Sequence, residues 1–506
     1  MSCRSPLFPL PIHCVLPFQI NQEDKSQNSV PRLSPAMAIS VLFSLLCLAS
    51  CSSGLQLKIE GRHNVRPRRE ILRWGSMDGT VALNNTADIE YTTNLTLGGQ
   101  LFTVEIDTGS SDLWVAGNVT DSIDTGAMSE VSYADGSGAE GPVKLSILEF
   151  SGYTVQDQAF LQITPDNDHP IARGLIGLGP TTGSKIYNKL NTSAGYAVLD
   201  RIFLQNTSTP NYLTVLLGRT QDPTDVLSGE ISIGELLHGY SNVEGEPKLE
   251  VTIASDGNSS HQHFQILLDE DSIIGPDGKP ISITTEVNQT SNSKQATVVL
   301  DTGSSRCQVP KYVADAIYSP ISGAEYRNIT GLGEIWAIPC DEEVNITFKF
   351  SGKSYHIHPL DATMDPSLFD SPKIVNLKGQ ALCLGSFQPF VYTPTYLTYD
   401  MLLGMPFLRN VYTVFNFGDF VAGGNDTANR GDPYIQLLST TDPAEAHSDF
   451  VATTSYGFGL LHTRSTGSLL DVVPLRTSHN AGYSNERDGV RIQNEVSITT
   501  RNMFFH

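Results

Sequence analysis

The chain has 506 residues, enough for two substantial lobes with further segments outside them. A formal net charge of −22 and a pI near 4.8 argue against nucleic acid as a partner and bring the molecule close to neutrality in mildly acidic surroundings. Helical periodicity is scarce: 43 Gly and 28 Pro punctuate short Val/Ile/Thr/Tyr-rich runs, so a mostly β fold is expected. Residues 1–36, polar with several prolines, read as an upstream extension before Met37. The apolar run Ile39 to Ala49 is too short to cross a bilayer as a helix. Followed by small residues, it gives a signal peptide over 37–53; the alternative is one unusually long n-region beginning at Met1. Residues 54–75 are basic, with Lys58, Arg62, Arg66, Arg68, Arg69 and Arg73 against Glu60 and Glu70. Arg68-Arg69 is a candidate processing point, and a plain basic linker is the other reading.

The word Asp-Thr-Gly-Ser-Ser then occurs twice, at Asp107–Ser111 and at Asp301–Ser305. Each copy follows an apolar run that reads as a buried strand, Phe102 to Ile106 and Ala296 to Leu300. A strand ending this way presents a carboxylate on a tight turn. One such turn alone is ordinary turn chemistry. Two, from two halves of one chain, can face each other. Two carboxylates within a few ångströms cannot both ionise cheaply, so over an acidic range the pair holds one proton. Such a pair can take a proton from water and polarise a carbonyl at once. Gly109 and Gly303 are expected to permit the turns through their backbone freedom. Ser110 and Ser304 are expected to bond the outer carboxylate oxygens. Neither serine has a His near it in sequence, and the twelve histidines form no triad or metal-ligand pattern, so serine- and metal-dependent hydrolysis are set aside.

Further motifs accompany the two turns. Tyr91–Gln100 leads into the first, and Ser111-Asp-Leu-Trp-Val115 leaves it. Tyr133-Ala-Asp-Gly-Ser137 is a hairpin tip. Gly174-Leu-Ile-Gly-Leu-Gly179 and Met401-Leu-Leu-Gly404 are apolar-apolar-Gly strands, and Gly229–Gly234 and Leu408–Phe415 are two more strand-like runs. Together, over residues 88 to 450, these resemble the pepsin-like aspartic endopeptidases, most of all the secreted, fungal type. The resemblance implies a bilobal pepsin-like acid protease fold, with two pseudo-symmetric β-lobes and the active-site cleft between them. It implies that Asp107 and Asp301 are catalytic, and that Thr108 and Thr302 brace the turns through hydroxyl-to-backbone bonds. Tyr133 and Gly136 would lie on a flap over substrate, with the Tyr133 hydroxyl held by the Trp114 indole N–H. Asp135, also on the flap, would let the enzyme accept Lys before the scissile bond, as fungal relatives with Asp there do; a generic turn residue is the other reading.

On this reading 54–75 is a short propeptide, 76–253 the N-terminal lobe with the flap, 254–449 the C-terminal lobe and 450–506 a disordered tail. Four of seven cysteines lie at or before residue 51. Of the rest, Cys340 and Cys383 match a second-lobe disulfide of the family, and Cys307 is left to pack as a small buried hydrophobe. Ten Asn-x-Ser/Thr sequons, at Asn84, Asn94, Asn118, Asn191, Asn206, Asn258, Asn288, Asn328, Asn345 and Asn425, suggest passage through a glycosylating lumen.

Three departures from the family stand out. Only 18 residues separate Trp114 from Tyr133, with no cysteine among them; Ala134 replaces a common Gly; and Met405 replaces a usual Asp. The expected function is a secreted acid endopeptidase, monomeric, acting on protein or peptide substrates without cofactor, metal or membrane anchor. A vacuolar destination is the alternative location, and an inactive pepsin-fold binding or inhibitory protein the alternative function.

Overall fold

Glu90–Leu97 and Gln100–Asp107 form an antiparallel hairpin. Gly98 and Gly99 join them with φ of 57° and 73°, the left-handed pair that a two-residue turn between twisted strands requires. The computed structural model describes residues 79–455, apart from 134–135, 206–209, 221–227, 255–261, 289, 330–331, 370–372, 391–397 and 422–430. The segments expected at 1–36, 37–53 and 54–75, the tail beyond 455, Asp135, and the sequons at Asn206, Asn258 and Asn425 lie outside the described residues.

The hairpin belongs to an eight-stranded sheet. Its order is Asn84–Thr86, Glu90–Leu97, Gln100–Asp107, Arg173–Gly177, Leu113–Ala116, Tyr153–Ile163, Gly138–Phe150 and Ile123–Ser132. Arg173–Gly177 runs parallel to the strand entering the first Asp-Thr-Gly turn and antiparallel to the strand leaving it. It therefore threads between them. Met401–Leu403 repeats this in the second half, parallel to Thr297–Leu300 and antiparallel to Cys307–Val309. The threading strands pass so close to the turns that a Cβ on Gly177 would overlap Ser111 and Asp112. A Cβ on Gly404 would overlap Ser304 and Arg306 in the same way. The fold is thus the bilobal, mostly β one that the repeated motif implied.

A six-stranded sheet draws on both halves of the chain, in the order Thr80–Ala82, Gly229–Ile233, Tyr212–Leu217, Val411–Asn416, Tyr434–Ser439 and Leu249–Glu250. Its central pair sets Leu213 opposite Phe415 and Val215 opposite Thr413. The run Leu408–Phe415, read from sequence as one strand, is divided. Met405–Leu408 is a short helix with Pro406 in its first turn, where no backbone N–H is needed, and the strand starts at Val411. Beneath this sheet Phe203, Phe264, Phe415 and Phe417 meet edge to face at 4.9–5.3 Å.

A buried ionic cluster also spans the halves. Asp361, with no side-chain exposure, accepts from Arg219 Nε at 3.1 Å, Arg409 Nε at 2.6 Å and Asn410 Nδ2 at 3.0 Å. Arg409 reaches on to the Asp88 carbonyl at 2.8 Å. Burial alone would raise the Asp361 carboxyl, but the two guanidiniums outweigh it and hold the group well below the ordinary carboxylate range.

Cys340 and Cys383 form a disulfide across 43 residues, which in the chain-entropy model contributes about 3–4 kcal/mol. Cys307 is free and fully buried, and burial pushes its thiol up to about 12, so it packs as an unreactive apolar group. The helix Pro443–Ser455 crosses the boundary expected at 449/450: Phe450 is only 4 % exposed, so the chain stays packed beyond it. Among the described residues no helix is long and apolar enough to cross a membrane.

Candidate active site

The two Asp-Thr-Gly turns end their strands face to face. Thr108 Oγ1 donates to the Leu300 carbonyl at 2.9 Å and accepts from Thr302 N at 3.0 Å. Thr302 Oγ1 donates to the Ile106 carbonyl at 2.9 Å and accepts from Thr108 N at 3.0 Å. These four reciprocal bonds are buried, so neither turn can shift without orphaning groups of the other. Asp107 Oδ1 accepts from Gly109 N at 2.7 Å and Ser110 N at 3.2 Å, and Asp301 Oδ1 from Gly303 N at 2.8 Å.

The two glycines are needed for space, not for their backbone angles. Neither has a positive φ. A Cβ on Gly109 would lie 2.6 Å from Asp301 Oδ2, and one on Gly303 would lie 2.7 Å from Asp107 Oδ1. Each turn therefore packs its glycine against the other turn's carboxylate, and that close approach brings the two acids together.

Ser110 Oγ donates to Asp107 Oδ2. The Ser304 hydroxyl donates to the Arg306 carbonyl at 2.8 Å. Both carboxylates open on a cleft of about 940 Å³, whose walls include Tyr133, Glu130, Lys185, His263, Phe390 and Tyr399. Trp114 Nε1 donates to the Tyr133 hydroxyl at 2.8 Å. Burial, then the nearby Asp107, push the Tyr133 phenol well above its ordinary value, so it is neutral throughout the acidic range. Gly136 closes the hairpin tip with φ 89°, its N–H donating to the Tyr133 carbonyl at 3.0 Å. That hairpin, Ile123–Ser132 with Gly138–Phe150, is the outer edge of the eight-stranded sheet.

Sequence reasoning missed three residues here. Asp112 accepts from Ser184 Oγ at 2.6 Å, Lys185 N at 2.8 Å and Ile186 N at 3.0 Å, and so fastens the first turn to the helix Lys185–Leu190 on the cleft wall. Its burial raises the carboxyl despite these bonds. Its only signal was an acid directly after the Ser-Ser pair. Tyr399 lies against Asp301, and burial first, then Asp301, lift its phenol to about 12. His263 lies near the first turn in space, although no histidine is near the serines in sequence. Its Nδ1 is 2.8 Å from the Gly109 carbonyl, across 154 residues, and its ring meets Tyr399 edge-on at 5.7 Å. A contact that distant leaves no local signal. It makes no serine nucleophile, because the single Ser110 hydroxyl proton is directed to Asp107. Among the described residues no group of His, Cys, Asp or Glu could hold a metal ion.

The family model for eukaryotic aspartyl protease matches residues 90–127 and 118–423, and the chain belongs to that family. It is an aspartic-type endopeptidase, and peptides are its substrate class. Major aspartyl peptidase 1 of Cryptococcus neoformans var. grubii is 26% identical over 387 residues, covering 70% of this chain and 73% of that protein. A probable aspartic-type endopeptidase opsB of Aspergillus oryzae is 25% identical over 436 residues, covering 79% and 83%. Vacuolar protease A of Aspergillus fumigatus is 26% identical over 398 residues, covering 71% and 86%. Among solved structures, the aspartic proteinase from Irpex lacteus superposes with a TM-score of 0.53 at 16% identity, covering 72% of this chain and 97% of that one. That likeness bears on the fold.

Proposed function

We propose that the chain is a secreted acid endopeptidase in which Asp107 and Asp301 share one proton and activate a water between them. Aspartic proteases are the standing example of this shared-proton state. The observation that carries the reading is the reciprocal packing of the turns, each glycine against the opposite carboxylate. The ionised partner takes a proton from water as its oxygen attacks the peptide carbonyl. The protonated partner gives its proton to the carbonyl oxygen. The resulting gem-diol collapses: one diol hydroxyl returns its proton to the second carboxylate, the C–N bond breaks, and the proton first taken from water passes to the leaving nitrogen. Thr108 and Thr302 hold the turns in register, and Ser110 fixes the plane of the Asp107 carboxylate. Tyr133 is a flap residue, positioned by Trp114, that closes over the bound peptide. Both acids must carry one proton between them, so activity is lost as rising pH removes it. The test is digestion of denatured haemoglobin at acidic pH. Cleavage blocked by a statine-type inhibitor is expected, and cleavage indifferent to it overturns the reading.

Secretion draws support from the sequons. All seven sequon asparagines among the described residues, Asn84, Asn94, Asn118, Asn191, Asn288, Asn328 and Asn345, are exposed. Protein expressed in a eukaryotic secretory host loses apparent mass on treatment with an N-glycosidase. An unchanged band would count against the lumenal route.

A further inference from the structure

His169 stands outside the cleft in the loop between Tyr153–Ile163 and Arg173–Gly177, and neither the motifs nor the proposed mechanism uses it. Both its ring nitrogens are engaged at once. Nδ1 lies 3.0 Å from Asp166 Oδ1, and Nε2 lies 3.0 Å from the carbonyl oxygen of Gly138, the first residue of the hairpin's returning strand. A carbonyl oxygen only accepts. Asp166 Oδ1 also only accepts here, because it already takes the backbone N–H of Asp168 at 2.9 Å and of His169 at 2.6 Å. Neutral imidazole has one N–H, whereas imidazolium has two. The two contacts therefore coexist only on the charged ring.

The same ring meets Trp114 edge to face, with centroids 5.3 Å apart and planes at 79°. Trp114 in turn holds the Tyr133 hydroxyl. One side chain thus touches both sides of the hairpin tip, Gly138 directly and Tyr133 through the indole.

Resting on the flap reading above, we propose that His169 is a positioning residue for the flap that works only as the imidazolium, pinning the hairpin in acid and releasing it toward neutrality. The titratable groups around it are Asp166 and Asp168 on its own loop, Glu140 two residues along the strand from Gly138, Glu130 opposite Glu140, and Tyr133 beyond Trp114. The backbone N–H of His169 first, and then its ring, hold the Asp166 carboxyl below its ordinary value. The pin therefore persists to the acidic side. Its upper limit is set by loss of the ring's second proton, after which one of the two bonds must go.

The test needs no turnover. Hydrogen exchange of the hairpin amides is measured on the full chain by mass spectrometry and corrected for intrinsic pH dependence. From about pH 5 to about pH 7.5, protection around residues 132–138 is expected to fall by roughly tenfold, the worth of one charge-assisted hydrogen bond. In His169→Phe, which keeps a ring against Trp114, and in Asp166→Asn, protection is lower in acid and changes little with pH. The wild-type to His169→Phe ratio of kcat/KM shrinks over the same interval. Wild-type protection that does not vary with pH, or equal protection in variant and wild type in acid, overturns the proposal. A protein that fails to digest haemoglobin overturns the peptidase reading, while the exchange data still decide the pin.

Discussion

Asp107→Asn lowers kcat on a peptide substrate by at least about 10³-fold, within the range that general acid–base groups contribute, and leaves the protein folded. Asparagine keeps an oxygen for the Gly109 and Ser110 N–H groups. Its amide nitrogen can donate to Ser110 Oγ, which presently donates to the carboxylate. The turn therefore survives and the reciprocal threonine bonds are untouched. What disappears is the negative charge that takes the proton from water. Asp301→Asn should have the same effect, because either change leaves a pair that can no longer both hold and release a proton. The measurement is single-turnover cleavage of a fluorogenic peptide, with melting temperature as the control. Retention of more than about a tenth of wild-type kcat would sink the dyad assignment, since acid–base groups account for roughly 10²–10⁴. A melting temperature well below wild type would show that the turn had been misread.

The largest expected loss of stability lies away from the cleft. Asp361→Ala leaves the Arg219 and Arg409 guanidiniums, whose side chains are 9 % and 3 % exposed, without their shared counter-charge. Breaking one side of a buried ion cluster costs about 3–5 kcal/mol. The native bridge already loses much of its attraction to desolvation, so the penalty comes from the stranded cations more than from the missing contact. The pH dependence has a definite sign. The folded carboxyl lies below its unfolded value, so its contribution is complete above the ordinary aspartate pKa of about 3.9. It declines as pH falls below that value, toward the lowered folded one. The cluster is therefore intact through most of an acid protease's working range. Chemical denaturation at pH 5 and at a pH below the ordinary carboxylate range should separate the two proteins widely at the first and less at the second. A difference that does not depend on pH would refute the electrostatic account.

What was legible in the sequence was local. Asp-Thr-Gly-Ser-Ser after an apolar strand specifies a turn and a carboxylate, and doing so twice specifies a pair. The apolar-apolar-Gly runs announced buried strands, and the structure adds why they end in glycine: the chain passes hard against the turn backbone. The reason for Gly109 and Gly303 was not legible, because the obstacle is a carboxylate 192 or 196 positions away in sequence and not a local dihedral. The contact of Ser304 with the Arg306 carbonyl was equally hidden, since nothing in the pentapeptide names that acceptor. His263 and His169 were invisible for a shared reason. A lone histidine has no periodicity, and its partners come from elsewhere in the chain. The long-range Asp361 cluster left no trace for the same reason.

The sheet shared by both halves also constrains how the molecule is made. Tyr212–Leu217 is flanked in the finished protein by Gly229–Ile233 on one side and Val411–Asn416 on the other. Val411 is 194 residues downstream of Leu217. At roughly 5–20 residues per second of synthesis, the second flank emerges on the order of 10–40 s after the first strand. Through that interval a Leu-Thr-Val-Leu-Leu edge stands open, the kind of edge on which chains pair with one another. A nascent chain halted before residue 411 is accordingly expected to associate with its copies and with holdase chaperones, and one extended past Ser439 is not. Cross-linking of stalled ribosome complexes at the two lengths would distinguish them.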